Sequence, residues 1–242
     1  MTVIGVAAES RHTATGNRIL DALPKEDFDR LRAHLEPVVF KLKDVLYRPG
    51  DEIGAIYFPV EGVLSVVMML PDGATVEVGT AGNEGMIGLS ALLGDCISLH
   101  EIVVQGAGNG LRLAARLARQ EFDRAGAFHN LVMKLSQYVV AEISQKAACN
   151  ARHDLQARLA RWLLSMRDRM GSDRFPLSQE FVATLLGVQR TAVTAVAVGL
   201  RRKGLIQYRH GVIEISNRAG LEAAACECYG LMKAMRHRFI DP

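Results

Sequence analysis

Arg190 is the side chain in this sequence best suited to recognise a partner by shape. A guanidinium is a planar fork of donors, and O6 and N7 of guanine offer two acceptors side by side in the major groove of a duplex. Gln189, Thr191 and Thr194 stand close to it, with amide and hydroxyl groups that also suit base edges. Arg201, Arg202, Lys203, Arg209 and His210 follow, a basic set suited to backbone phosphates. Such residues work together only if a helix presents them. Counting from Gln179, Ala183 falls at the fifth place, Gly187 at the ninth, Val193 at the fifteenth and Val196 at the eighteenth. That is helix-turn-helix spacing: a small residue lets two helices cross closely, a glycine turns the chain, and two branched apolar residues pin the second helix to the core. Val182, Leu185, Leu186, Val188 and Leu200 fill the remaining inward places. Ser178 is the expected N-cap of the first helix and belongs to the DNA-facing set, while Gly204 stops the second helix. Apolar runs at 205–208 and 212–215 flank Arg209-His210-Gly211 and predict a hairpin, the wing. An ordinary helical hairpin followed by a β-hairpin would explain one small residue and one glycine. Four positions in register, with a basic second helix and a basic wing, point instead to DNA.

The elements that must hold this unit come from the rest of the chain. Its 242 residues leave room for one or two domains and a substantial core. No apolar run reaches the ~18 residues that a membrane span needs. The first twenty residues include Glu9, Arg11 and Arg18 and read as a loose arm rather than a signal peptide, so a cytoplasmic protein without membrane contact is expected. The net charge of +3 is unevenly divided. Residues 1–150 hold 14 Lys and Arg against 18 Asp and Glu, a net −4, and residues 151–242 hold 15 against 8, a net +7. The basic part carries the helix-turn-helix, as a phosphate-binding surface requires.

The four cysteines are Cys96, Cys149, Cys226 and Cys228, and in a cytosolic chain they do not suggest a disulfide framework. Cys226 and Cys228 fall in one predicted helix, 219–238, which would point them to different sides. They lack two further ligands at useful spacing, so no metal site is expected. No nucleophile elbow, His-Glu-x-x-His, Walker loop or cluster of carboxylates is present, so no enzyme is expected.

Residues 17–35 predict one or two short amphipathic helices. Short β-type runs then alternate with turns, at 38–42, 56–60, 63–70, 75–78 and 102–105, and 106–110 reads as a turn. Twelve of the 22 glycines lie in 49–111, which fits the tight corners of a small barrel or roll. A short helix at 115–122 precedes a longer one at 128–150, with Leu131, Val132, Leu135, Val139 and Ile143 apolar. A long helix between a roll and a DNA-binding unit suits a dimer seam, since helix-turn-helix proteins commonly bind as symmetric dimers. A further helix at 153–170 opens the DNA-binding part.

Roll, long helix and winged helix-turn-helix, in this order, resemble the Crp/Fnr family of bacterial transcription regulators over about residues 20–221. The residues that carry the likeness are Pro49-Gly50-Asp51, Ile56-Tyr57-Phe58, Glu61-Gly62, Leu177-Ser178-Gln179-Glu180, Gly187-Val188-Gln189-Arg190 and Gly204-Leu205-Ile206. The resemblance implies an α+β chain: a flexible arm at 1–16, a cyclic-nucleotide-binding-like sensor roll of jelly-roll or double-stranded β-helix type at 17–127, a dimerisation helix at 128–152 and a winged helix-turn-helix domain at 153–242. It also implies a homodimer that binds a palindromic promoter site in double-stranded DNA and contacts RNA polymerase. The sensor biases the two recognition helices. Arg190 matches the family arginine that reads a guanine. The following family positions, commonly glutamate and arginine, are Thr191 and Ala195 here, so the family's usual target sequence does not carry over. The alternative is a ligand-binding signalling module whose winged domain contacts protein.

Cyclic-nucleotide-binding relatives use a glycine-glutamate turn, then an arginine about ten residues on that pairs with the phosphate. The stretch from Gly82 to Gly88 resembles the turn, and Glu84, Gly82, Gly85 and Met86 are the candidate effector residues. The arginine is missing: no Lys or Arg stands between Arg48 and Arg112, against eight acidic residues. A buried phosphate without a cation is costly. Cyclic nucleotide in the usual mode is therefore not expected, no cofactor is assigned, and any small-molecule effector is left unnamed. Iron-sulfur sensing needs N-terminal cysteines, and none precedes Cys96. A haem ligand would have to come from His100 or the Met68-Met69 pair.

Overall fold

The computed structural model describes residues 12–209 and 211–240. The chain opens with α1 (Arg18–Asp21) and α2 (Lys25–Arg32), followed by β1 (Glu36–Phe40), β2 (Val45–Tyr47), β3 (Ala55–Pro59), β4 (Val63–Met69) and β5 (Thr75–Ala81). Then come α3 (Ser90–Leu93), β6 (Glu101–Gly106), β7 (Gly108–Ala114), α4 (Ala115–Asp123) and the long α5 (Ala127–Arg152). The last part holds α6 (Leu155–Met170), β8 (Arg174–Pro176), α7 (Gln179–Leu186), α8 (Arg190–Arg202), β9 (Ile206–Arg209), β10 (Val212–Ile215), α9 (Arg218–Ala224) and α10 (Cys228–Phe239).

The first seven strands form two antiparallel sheets, ordered β1-β7-β3 and β2-β6-β4-β5. Strand alternation sends Phe40, Ile56, Phe58, Leu64, Val104 and Leu113 inward, and all are buried. β7 corrects the turn expected at 106–110. Gly108 and Gly110 lie within or at the start of a strand, where a Cβ would fall 2.3 Å from the Glu61 carbonyl and 2.5 Å from the Phe58 carbonyl. The glycines there permit close backbone approach rather than a corner.

Helix α5 has 26 residues, about 39 Å at 1.5 Å per residue. Phe128, Val132, Leu135 and Tyr138 close one side of the roll core. A second core fills the C-terminal part around Leu159, Leu163, Phe175, Leu186, Val193, Leu200 and Ile206. The arm expected at 1–16 falls largely on 1–11, outside the described residues. Of the remainder, His12 stacks on Phe28 with ring centroids 3.6 Å apart, and the Thr15 amide donates to Asp21 at 2.6 Å, so 12–16 are tied down. The single helix expected at 219–238 is two helices, α9 and α10, with Ala225 extended between them.

Candidate nucleic-acid interface and sensor cavity

The helix-turn-helix is built as its spacing requires. The Ser178 hydroxyl accepts from the Phe181 amide at 3.1 Å and caps α7, satisfying an amide that helix geometry leaves without a partner. Gly187 ends α7 at φ 63°, a left-handed backbone that other L-residues adopt only with strain. The chain then turns into α8. Val193, Ala197 and Leu200 bury one side of α8 against the second core, with Val196 partly buried. Ala183 is buried where the two helices meet. The Thr194 hydroxyl lies 2.7 Å from the Gln179 amide oxygen, which links α8 to the start of α7.

With one side of α8 fixed, the other side is left to solvent. Gln189, Arg190 and Thr191 are exposed at its N-terminal end, and Thr194 is half-buried one turn on. Arg201, Arg202 and Lys203 are exposed at its C-terminal end, where cations also favour the helix dipole. Arg209 is exposed on the wing. The wing is held by β10 pairing with both β8 and β9, and the Tyr208 hydroxyl donates to the Leu177 carbonyl at 2.8 Å. His210 lies outside the described residues. β8, absent from the sequence reading, is only three residues long, too short for its alternation to stand out in the sequence.

The roll holds a cavity of about 240 Å³ bounded by the β2-β6-β4-β5 sheet and α5. Val66, Val78, Ile102, Leu135, Val139 and Ile143 are among its apolar walls, and Gly85, Met86, His100, Tyr138, Glu84 and Glu142 also line it. Burial holds the His100 imidazole below its ordinary pKa and so favours its neutral form. Of the four expected effector residues, Glu84, Gly85 and Met86 line the cavity and Gly82 does not; a Cβ at Gly82 would meet the Glu84 carboxylate at 2.7 Å.

Glu84 is already paired. Arg169, near the end of α6, donates to Glu84 at 2.6 Å and to Glu142 at 3.2 Å. Lys146 lies 3.5 Å from Glu142 and 3.7 Å from Glu77 on β5. All five side chains are buried. Burial alone would raise the Glu142 carboxyl, but Lys146 and Arg169 outweigh it and hold its pKa below the ordinary value. Burial opposes the Arg169 charge too, and Glu84 and Glu142 more than restore it. Sequence reading missed this network because Arg169 is far from Glu84 in the chain. Glu142 and Lys146 did leave a trace, two opposite charges at i, i+4 on the inward stripe that continues Leu135 and Tyr138.

A helix fixed by one side, with a basic fork and hydroxyls on the other, is made to enter a duplex groove. The domain that carries it, joined by a long helix to a roll with an internal cavity, defines a DNA-binding transcription regulator. Comparison with known proteins agrees. Residues 37–124 match the family description "Cyclic nucleotide-binding domain", and residues 157–224 match "Crp-like helix-turn-helix domain". The chain is 29% identical over 198 residues to the transcriptional regulator LdrP of Thermus thermophilus, spanning 77% of this chain and 95% of that one. It is 25% identical over 217 residues to the nitrogen fixation regulation protein FixK of Bradyrhizobium diazoefficiens, spanning 85% and 87%. Among solved structures, TTHB099, a CRP-family transcriptional regulator from Thermus thermophilus, superposes with a TM-score of 0.65 at 26% identity, covering 78% of this chain and 96% of that one. The chain belongs to the Crp/Fnr family of transcription regulators.

Proposed function

We propose that the protein works as a homodimer whose two α8 helices read the half-sites of a palindromic promoter element. The exposure of Arg190 at the N-terminal end of a firmly seated α8 carries this reading. Arg190 takes a guanine edge, Gln189, Thr191 and Thr194 take neighbouring base edges, and Ser178, Arg201, Arg202, Lys203, Arg209 and His210 lie along phosphates. The outer side of α5 supports the seam: Met133 and Val140 are exposed apolar residues on a helix whose inner side is already packed. Met133 and Val140 are seven residues apart, the repeat that keeps a stripe facing a partner helix. The regulator acts in the cytoplasm, meets RNA polymerase at the promoter and performs no catalysis.

The sensor reading goes with it. A cavity with apolar walls, two carboxylates and no lining Lys or Arg favours an uncharged, largely apolar effector over a cyclic nucleotide. Such an effector would reach Glu84 and Glu142, whose pairing with Arg169 joins the roll to the helix leading into the DNA-binding domain. Footprinting of the purified protein on fragments of its own genome tests the main reading: protection of two half-sites about one duplex turn apart is expected. Absence of any protected site would favour the protein-contacting alternative.

A further inference from the structure

Three buried thiols and an imidazole meet where α5 hands over to α6. Cys149 lies on the last turn of α5, and His153 is that helix's C-cap. Cys226 lies in the break between α9 and α10, and Cys228 is the first residue of α10. One donor atom from each residue lies within 4.8 Å of all the others. The Cys149 and Cys226 sulfurs are 3.5 Å apart, and the Cys228 sulfur is 3.6 Å from His153 Nδ1. A tetrahedral ion with Zn–S near 2.3 Å and Zn–N near 2.0–2.1 Å has ligand-to-ligand edges of about 3.8 Å between sulfurs and about 3.6 Å between sulfur and nitrogen.

We propose that Cys149, His153, Cys226 and Cys228 bind one zinc ion in a closed Cys₃His site. Three features besides the spacing carry this. The first is the imidazole's orientation. Nδ1 faces the thiols, and Nε2 lies 3.2 Å from a Glu227 carboxylate oxygen, the outer partner that commonly fixes a metal-ligating histidine. The second is Gln145, whose amide donates to the Cys228 sulfur at 3.2 Å, support suited to a thiolate. The third is the helix break. In a continuous helix Cys226 and Cys228 would point roughly 200° apart. Extended backbone at Ala225 ends α9, so Cys226 stands before α10 rather than inside a helix, and both sulfurs come within 4.8 Å of the Cys149 and His153 donor atoms.

A thiolate-rich tetrahedral set selects zinc among common divalent ions. Iron–sulfur clusters hold their thiolates further apart than these donors stand. Cys226 and Cys228 lie beyond residue 224, where the match to the helix-turn-helix domain ends. Bound zinc would clamp α10 to the α5–α6 joint. α10 is already tied to α6, with the Tyr229 hydroxyl donating to Asp168 at 2.7 Å.

The test is metal analysis of the full chain purified under reducing conditions, followed by cobalt(II) titration of the chelated protein. About one zinc per chain is expected, with thiolate-to-cobalt charge-transfer bands and the intense visible bands of tetrahedral cobalt. Cys226→Ser should lose the zinc. His153 is partly exposed, so His153→Ala should fold and still lose the tetrahedral cobalt spectrum. Glu227→Gln should weaken zinc binding about tenfold or more. Reduced protein that holds no zinc and gives no cobalt spectrum would overturn the site, as would full zinc content in Cys226→Ser or iron–sulfur absorption in its place. None of these readouts depends on DNA binding.

Discussion

Arg169, at the end of the helix that opens the DNA-binding domain, donates to Glu84 of the sensor roll at 2.6 Å, and both side chains are buried. A buried pair adds little over an apolar substitute, but losing one partner leaves an uncompensated charge. Arg169→Ala should therefore destabilise the protein by about 3–5 kcal/mol, read from urea unfolding. The Arg169→Ala/Glu84→Gln double variant should lose much less than the sum of the two single changes. Additive losses would show that the two residues are not coupled.

The same network sets an acid limit. The Glu142 pKa lies below its ordinary value of 4.5, so its contribution to stability is complete above that value and is lost as pH falls through the lower, folded-state pKa. Unfolding free energy should fall as pH drops below about 4.5, and Glu142→Gln should flatten that part of the curve. An unchanged acid limb in the variant would remove Glu142 from the account.

The outer stripe of α5 predicts the assembly. Val140 is 65% exposed in the single chain, so Val140→Glu should leave the fold intact. In a dimer it would set two carboxylates in an apolar seam. Sedimentation should show a shift from dimer to monomer with an unaltered circular dichroism spectrum. A variant that stays dimeric would place the seam elsewhere.

The sensor cavity predicts ligand class. Calorimetry with cyclic AMP should show no binding, whereas the neutral dye Nile red should gain fluorescence on the protein. Val78→Trp, which fills the cavity from β5, should abolish that gain. Binding of cyclic AMP at micromolar concentration would contradict the polarity argument.

Much of the recognition unit was legible because its rules are local. Ser178 as a cap, Gly187 with left-handed backbone, and Val193 and Leu200 as inward residues all follow from spacing within one short stretch. The roll was legible as strands and corners, except at the three-residue β2, which was missed, and at β7. There the glycines answer to Glu61 and Phe58, which approach from elsewhere in the chain. The same limit hid the two clusters that join the domains. Arg169 is 85 residues from Glu84, and Cys149 is 77 from Cys226, so no local pattern links either pair. The Cys226–Cys228 spacing looked unproductive because 219–238 reads as a single helix, whereas the chain breaks at Ala225 between α9 and α10.

The central claim is that Arg190 reads a base from an exposed position on α8. Fluorescence anisotropy on the footprinted site and on a scrambled duplex, at matched salt, tests it most directly. Arg190→Ala should lose about 1–3 kcal/mol on the true site and little on the scrambled one, with preference relaxed at one base pair of each half-site. Arg202→Ala, a phosphate contact, should weaken both duplexes alike and reduce the salt slope by about 1. Equal loss on both duplexes for Arg190→Ala would contradict the account.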